Sequence, residues 1–164
     1  MNEKLKEILS YIIIIVIVLL IKQFIITPIR VNGNSMNDTL VDKDVMILDK
    51  ISYRFSNIKR FDIVVVKKNN EYLIKRVVGL PGEKLEYKDN KLYINDKFIE
   101  ENFLRRDTED FILEEEIEDG HYFVVGDNRG DSLDSRILGL IKEEEILGKT
   151  SFVLFPFNRI GVKK

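Results

Sequence analysis

Cysteine is absent from the 164-residue chain, which excludes disulfides, thiol nucleophiles and thiolate metal sites. Histidine occurs once, as His121, so the commonest general base has a single candidate. Neither sign of charge dominates, with 26 Lys and Arg against 28 Asp and Glu. No basic stripe interleaved with aromatics is present, and nucleic acid is not an expected partner. No internal repeat is present, and beyond the first thirty residues helical signals are limited to a brief stretch at 142–146. Asp127, Asp131 and Asp134 lack the loop length and closing glutamate of a calcium site. Neither metal nor cofactor is expected.

What the chain does have is one long apolar run, residues 11–26, interrupted near one end by Lys22 and Gln23. As a helix it would span about 24 Å, the short end of a membrane crossing. A lysine there can lay its stem on apolar surface and send its ammonium to the headgroups. A cleavable leader would be followed by a small-x-small site. Ile25-Ile26-Thr27-Pro28 offers none, so residues 11–28 are expected to be an uncleaved anchor. Lys4 and Lys6 precede the run while Lys22 and Arg30 lie at its other end, so the distribution of cations does not orient it.

The remainder, 29–164, is long enough for one domain with its own core. Val45-Met46-Ile47-Leu48, Asp62-Ile63-Val64-Val65-Val66, residues 72–78, residues 121–125 and Ser151-Phe152-Val153-Leu154-Phe155 are short, rich in β-branched and aromatic residues, and bounded by turn formers. They read as strands. Alternation on either side of Asp89-Asn90 predicts a hairpin turning at those two residues, part of a projecting ribbon or insertion over 84–120. Residues 100–119 hold ten acids against Arg105 and Arg106 and read as a solvated face of that ribbon. The fold class expected is mainly β, preceded by one transmembrane helix.

Three segments carry candidate chemistry. Ser35 lies in Gly33-Asn34-Ser35-Met36, nine residues beyond the apolar run, and a serine hydroxyl needs a base within hydrogen-bond reach before it attacks anything. His121 is one candidate, at the start of an apolar strand. Lys75 is the other, sharing a strand face with Leu73 and Val77. Burial among aliphatics disfavours the ammonium, and a lysine moved from about 10.4 to about 7 or 8 can accept a serine proton. The third segment, Gly126-Asp127-Asn128-Arg129-Gly130-Asp131-Ser132-Leu133-Asp134-Ser135-Arg136, follows a strand and is dense in hydrogen-bonding groups suited to supporting a site.

Together these segments resemble the type I signal peptidases in their short Gram-positive form. The family pattern of an anchor, Ser-Met-x-Pro-Thr-Leu, Tyr-x-x-Lys-Arg with Val-x-Gly-x-Pro-Gly, and Gly-Asp-Asn-Arg-x-x-Ser-x-Asp-Ser-Arg-x-x-Gly is met, in order, across nearly the whole chain. Here it stands as Ser35-Met36-Asn37-Asp38-Thr39-Leu40, as Tyr72 to Arg76 with Val78-Gly79-Leu80-Pro81-Gly82, and as Gly126 to Arg136 with Gly139. The resemblance implies a serine endopeptidase with Ser35 as nucleophile and Lys75 as general base, removing signal peptides from secretory preproteins after small residues. It implies residues 1–10 in the cytoplasm, the domain outside, membrane lipid around the anchor, and a monomer. It implies that Ser132 orients the lysine amine, that Asp127, Arg129, Asp134 and Arg136 hold the supporting network, and that Met36 and Ile74 lie near the substrate's small side chains. In some members a serine two residues before the nucleophile adds a hydroxyl to the oxyanion hole; Gly33 removes it, leaving backbone N–H groups. Two further departures are Asp38 for proline, which frees a fixed dihedral and brings a carboxylate close to Ser35, and Phe61 for a common glycine.

Other readings are weaker on the residues. Ser56-Asn57-Ile58-Lys59 fits a Ser-x-x-Lys motif without its companion motifs. Arg129-Gly130-Asp131 and Asn37-Asp38-Thr39 are short enough to match an adhesion tripeptide and a glycosylation acceptor by chance. A self-cleaving repressor-type Ser-Lys peptidase would normally carry a DNA-binding domain. A catalytically silent, membrane-anchored binding module of the same fold is the alternative that Asp38 keeps open.

Overall fold

The computed structural model describes residues 3–104 and 107–163. A single long helix, α1 (Glu3–Phe24), leads the chain. Its stretch Lys6–Phe24 buries nothing against the rest of the protein and is long and apolar enough to cross a bilayer. The helix ends before residue 28. Residues Ile26–Arg30 form β1, paired antiparallel with β2 (Val45–Asp49). Pro28 has no N–H for a helical ladder and restricts Thr27 to extended conformations, while Thr27 Oγ1 donates to the Lys22 carbonyl at 2.8 Å and satisfies one orphan group of the helix end.

Then follow β3 (Ile63–Lys68) and β4 (Glu71–Gly79), joined by Asn69-Asn70, both at positive φ. This two-residue turn matches the twist of the strands it joins. The expected turn at Asp89-Asn90 joins β5 (Leu85–Lys88) to β6 (Lys91–Ile94), and Asn95-Asp96 turns into β7 (Lys97–Ile99), all four turn residues again at positive φ. β8 (Phe111–Ile112) and β9 (His121–Val125) come next, then a one-turn helix α2 (Ser135–Leu138) and β10 (Ile141–Lys142). The stretch at 142–146 is helical only as a 3-10 turn, Glu143–Glu145, before β11 (Ile146–Phe155) and β12 (Gly161–Val162).

The larger sheet runs β1-β2-β11-β3-β4-β9-β10 with β12 on β11, and the smaller runs β7-β6-β5-β8. Strand alternation divides the core. Phe123 and Val125 of β9 meet Leu85, Tyr87, Leu92 and Ile94 of the smaller sheet, so the ribbon lays one face on the larger sheet. Tyr122 and Val124 face a second cluster with Val64, Val66 and Val77. A third cluster, Val31, Met36, Leu40, Met46, Ile63 and Val153, sits under the loop that carries Ser35.

Candidate active site

The Ser35 loop is held from below and from one side. Met36 and Leu40 are fully buried, and turn bonds Asn37 N–H to the Asn34 carbonyl (2.9 Å) and Leu40 N–H to the Met36 carbonyl (2.8 Å) close the loop over them. Gly33, at φ +91°, donates its N–H to Asp42 Oδ1 at 3.0 Å. Ser35 itself is half-buried, and neither its Oγ nor its N–H has an internal partner among the described residues.

The other side is the loop after β9. Asn128 N–H donates to the Ser35 carbonyl at 3.0 Å, and Asn128 Nδ2 to the Asn34 carbonyl at 3.1 Å. A Cβ at Gly126 would collide with both the Ser35 carbonyl oxygen and Ser132 Oγ, so only glycine allows this approach. Ser132 Oγ is buried, makes no hydrogen bond of ordinary geometry among the described residues, and acts on the Asp134 carboxylate. In the β4–β9 register Arg76 faces Val125, which sets Lys75 against Gly126 one residue further on.

Lys75 is 2 % exposed, and its amine makes no hydrogen bond or ion pair among the described residues. It faces Val64 across the β3–β4 ladder, between Leu73 and Val77, which pack on the same apolar cluster. Burial lowers its pKa to about 8, helped by Arg136 and opposed by Asp134, Asp127 and Asp131. The acids that act on it thus belong to the 126–136 segment.

That segment is tied down by three arginines. Arg76, fully buried, places Nε 2.9 Å and Nη2 2.7 Å from the two oxygens of Asp127, which also accepts from Thr39 Oγ1 at 2.5 Å. Arg136 donates to Asp134 at 2.9 and 2.8 Å, and Asp134 also receives Gly126 N–H at 3.0 Å. Burial alone would raise the Asp134 carboxyl, but the bonds from Arg136 and Gly126 and the Ser132 hydroxyl hold it below the usual range. Arg129 turns the other way. It holds the Gly126 carbonyl (3.1 Å) and reaches into the ribbon to Thr108 Oγ1 (2.8 Å) and Glu101 (2.6 Å), over the Tyr87 ring.

A groove of about 380 Å³ opens beside Ser35, lined by Gly33, Ser35, Met36 and Ile74 at one end and by Thr27 and Lys50 at the other. The structure therefore brings Ser35, Gly33, Met36 and Ile74 to one groove and sets Lys75, Ser132, Asp127 and Asp134 around Gly126 at its wall. His121 is elsewhere: it lies at the far end of β9, about 17 Å from Gly126 at strand spacing, with Nδ1 3.1 Å from the Asp119 carbonyl.

The two departures have backbone explanations. Phe61 sits at φ +69°, where glycine is easiest, and packs its ring edge-on against Phe103 at 5.1 Å. Asp38 sits at φ +89°, which proline, fixed near −65°, cannot adopt. Residues that the sequence reading did not place in the site are Arg76, Thr39, Asn128, Glu101 and Phe103, whose ring lies 3.8 Å from the Arg76 guanidinium. The first three stand inside the quoted motifs. Glu101 and Phe103 were concealed in the acid-rich stretch, whose reading as a solvated face fails at Glu101, since its side chain is only 5 % exposed. Arg105 and Arg106 lie outside the described residues.

Comparison with known proteins identifies the family. Residues 4–155 match the family described as signal peptidase, peptidase S26. Signal peptidase I of Bacillus amyloliquefaciens is 39% identical over 94% of this chain and 90% of its own. Signal peptidase IB of Staphylococcus aureus is 36% identical over 96% of this chain and 92% of its own. The crystal structure of a signal peptidase I from Enterococcus faecalis V583 superposes with a TM-score of 0.53 at 36% identity, covering 57% of this chain and 97% of that one. With its β scaffold, its anchor helix and the Ser35, Lys75 and Gly126 segments in place, this chain belongs to the signal peptidase family, peptidase S26.

Proposed function

We propose that this protein is a membrane-anchored type I signal peptidase, a serine endopeptidase that removes signal peptides from secretory preproteins, with Ser35 as nucleophile and Lys75 as general base. The observation that carries the assignment is a buried lysine, lowered to about 8, set against the same glycine that meets the Ser35 carbonyl and Ser132 Oγ. Near pH 7.5 such a lysine is neutral in roughly a quarter of molecules, against about one in a thousand for an unperturbed one. Neutral Lys75 takes the Ser35 proton as Oγ bonds to the scissile carbonyl carbon. The unpartnered Ser35 N–H receives the developing oxyanion. Lys75 then gives its proton to the leaving amine, the new N-terminus of the mature protein, and an ester to Ser35 remains. Water, deprotonated by Lys75, hydrolyses that ester and restores Ser35. Ser132 Oγ orients the amine throughout.

The substrate binds as an extended strand. The outer edge of β1 is unpaired, and β4 is covered by β9 only from Arg76 onward, so backbone groups on both sides of the groove are free to pair with a peptide. Met36 and Ile74 fill the space near Ser35 and admit only small side chains before the cut. The anchor α1 runs from a cytoplasmic N-terminus through lipid of the cell membrane, the domain stands outside as a monomer, and the groove works at the bilayer surface, a reading supported by β1 beginning two residues after the helix ends. Purified protein in detergent should cleave a preprotein after a small residue, and Ser35→Ala should not. Equal cleavage by the Ser35→Ala variant would sink the assignment.

A further inference from the structure

The loop that carries Ser35 is closed at its base by Asp44. The Asp44 carbonyl accepts the Val31 N–H at 2.8 Å, its own N–H donates to the Val41 carbonyl at 3.0 Å, and its Oδ2 accepts the Val41 N–H at 2.9 Å. Asp44 is 1 % exposed, and a carboxylate so buried needs a cation and further hydrogen bonds to stay there. Arg159 supplies them from outside the motif segments. It stands in a 3-10 turn, Phe157–Arg159, after β11, with Nε 3.0 Å from Asp44 Oδ1 and Nη2 3.0 Å from Oδ2. The same Nη2 donates to the Thr39 carbonyl at 3.3 Å. Thr39 follows Ser35 in the loop, and its Oγ1 is the donor to Asp127. One guanidinium thus holds both the base of the Ser35 loop and the turn that meets the Gly126 segment.

Resting on the peptidase reading above, we infer that Arg159 is a positioning residue for the nucleophile, setting through Asp44 and the Thr39 carbonyl where the Ser35 loop stands against the Gly126 segment. Arg159 does not line the groove, so its loss leaves peptide binding in place and acts on the chemical step. A planar fork serves both acceptors at once, whereas a lysine brings one nitrogen on a flexible stem. Without the fork the Asp44 carboxylate turns toward water, the Val41 N–H loses its acceptor and the loop relaxes. A displacement of about 1 Å between reacting groups costs up to about a hundredfold in rate.

The test is steady-state cleavage of one preprotein by the full-length protein in neutral detergent, at a temperature where circular dichroism shows each variant folded. Arg159→Ala is expected to lower kcat by roughly ten- to a hundredfold with KM within about twofold of wild type. Arg159→Lys should recover part of the loss yet stay about threefold or more below wild type. The control is Lys68→Ala, which removes a partly buried ion pair with Glu145 and a bond to the Leu140 carbonyl, neither of them in the Ser35 loop. It should lower the unfolding midpoint and leave kcat within about twofold of wild type. If Arg159→Ala does not fold, Arg159→Lys decides on the same threefold margin. Wild-type kcat in either Arg159 variant, a loss confined to KM, or an equal loss of kcat in Lys68→Ala would overturn the role of Arg159. With wild-type cleavage abolished by Ser35→Ala, those outcomes leave the peptidase assignment intact. Failure of the wild type to cleave would remove the peptidase reading and this inference with it.

Discussion

Lys75 lowers the stability of the fold that contains it. Its folded pKa, about 8, lies below the unfolded value of 10.5. Below pH 8 both states are protonated and the native state carries the full penalty, about 3 kcal/mol at 1.36 kcal/mol per unit. As pH rises from about 8 to 10.5 the unfolded chain holds the extra proton and the penalty disappears, so this group adds stability in that window. Lys75→Met should therefore be inactive and, at pH 7, up to about 3 kcal/mol more stable by denaturant unfolding; an inactive variant with no gain would show that the amine is not desolvated. At position 38 the backbone decides. Asp38→Pro would force φ from +89° to about −65°, so it should lower the melting temperature and cleavage together. A proline variant as stable as wild type would contradict the positive φ. The motif at 35–40 was legible in the sequence, but the dihedral that makes aspartate acceptable there was not, because it is set by the loop's closure over Met36 and Leu40.

The strands most readily seen in the sequence, β2, β3, β4 and β9, are those with β-branched runs buried on one or both faces. β1 was hidden because regular apolar–polar alternation is missing: Ile26-Thr27-Pro28-Ile29-Arg30 continues an apolar helix and becomes a strand only by pairing with β2. The ribbon's second role was hidden for a related reason, since its contacts are long-range. Glu101 and Phe103 lie two residues apart in a loop after β7 and cover two arginines, Arg129 and Arg76, that brace the Gly126 loop. Removing one member of a buried pair costs about 3–5 kcal/mol. Glu101→Ala should lower stability by that order and reduce kcat more than it raises KM, because the Gly126 carbonyl and Asn128 lose their support, while Glu101→Gln should recover part of both. Unchanged kcat in a folded Glu101→Ala protein would confine Glu101 to the ribbon.

For the molecule as a whole, the anchor and the domain are energetically separate. The apolar stretch Lys6–Phe24 of α1 buries nothing on the domain, and the link between them is local, through Lys50 N–H to the Ile25 carbonyl at 2.9 Å and Lys50 Nζ to Gln23. Protein lacking the first 24 residues should unfold with nearly the same denaturant midpoint as the full chain in detergent, yet cleave membrane-inserted preprotein more slowly, since its groove is no longer held at the bilayer. A large loss of stability would mean that the helix packs on the domain after all. The order of anchor, serine, lysine and supporting loop was legible in the sequence; their convergence on Gly126 was not, because forty residues separate Ser35 from Lys75 and only the sheet registers bring them together. That convergence is tested most directly by the pH dependence of kcat/KM for preprotein cleavage. Activity should rise with pH through an apparent pKa near 8 and be negligible below about pH 5. A profile already level at pH 6, or activity persisting below pH 5, would contradict a neutral lysine as the base.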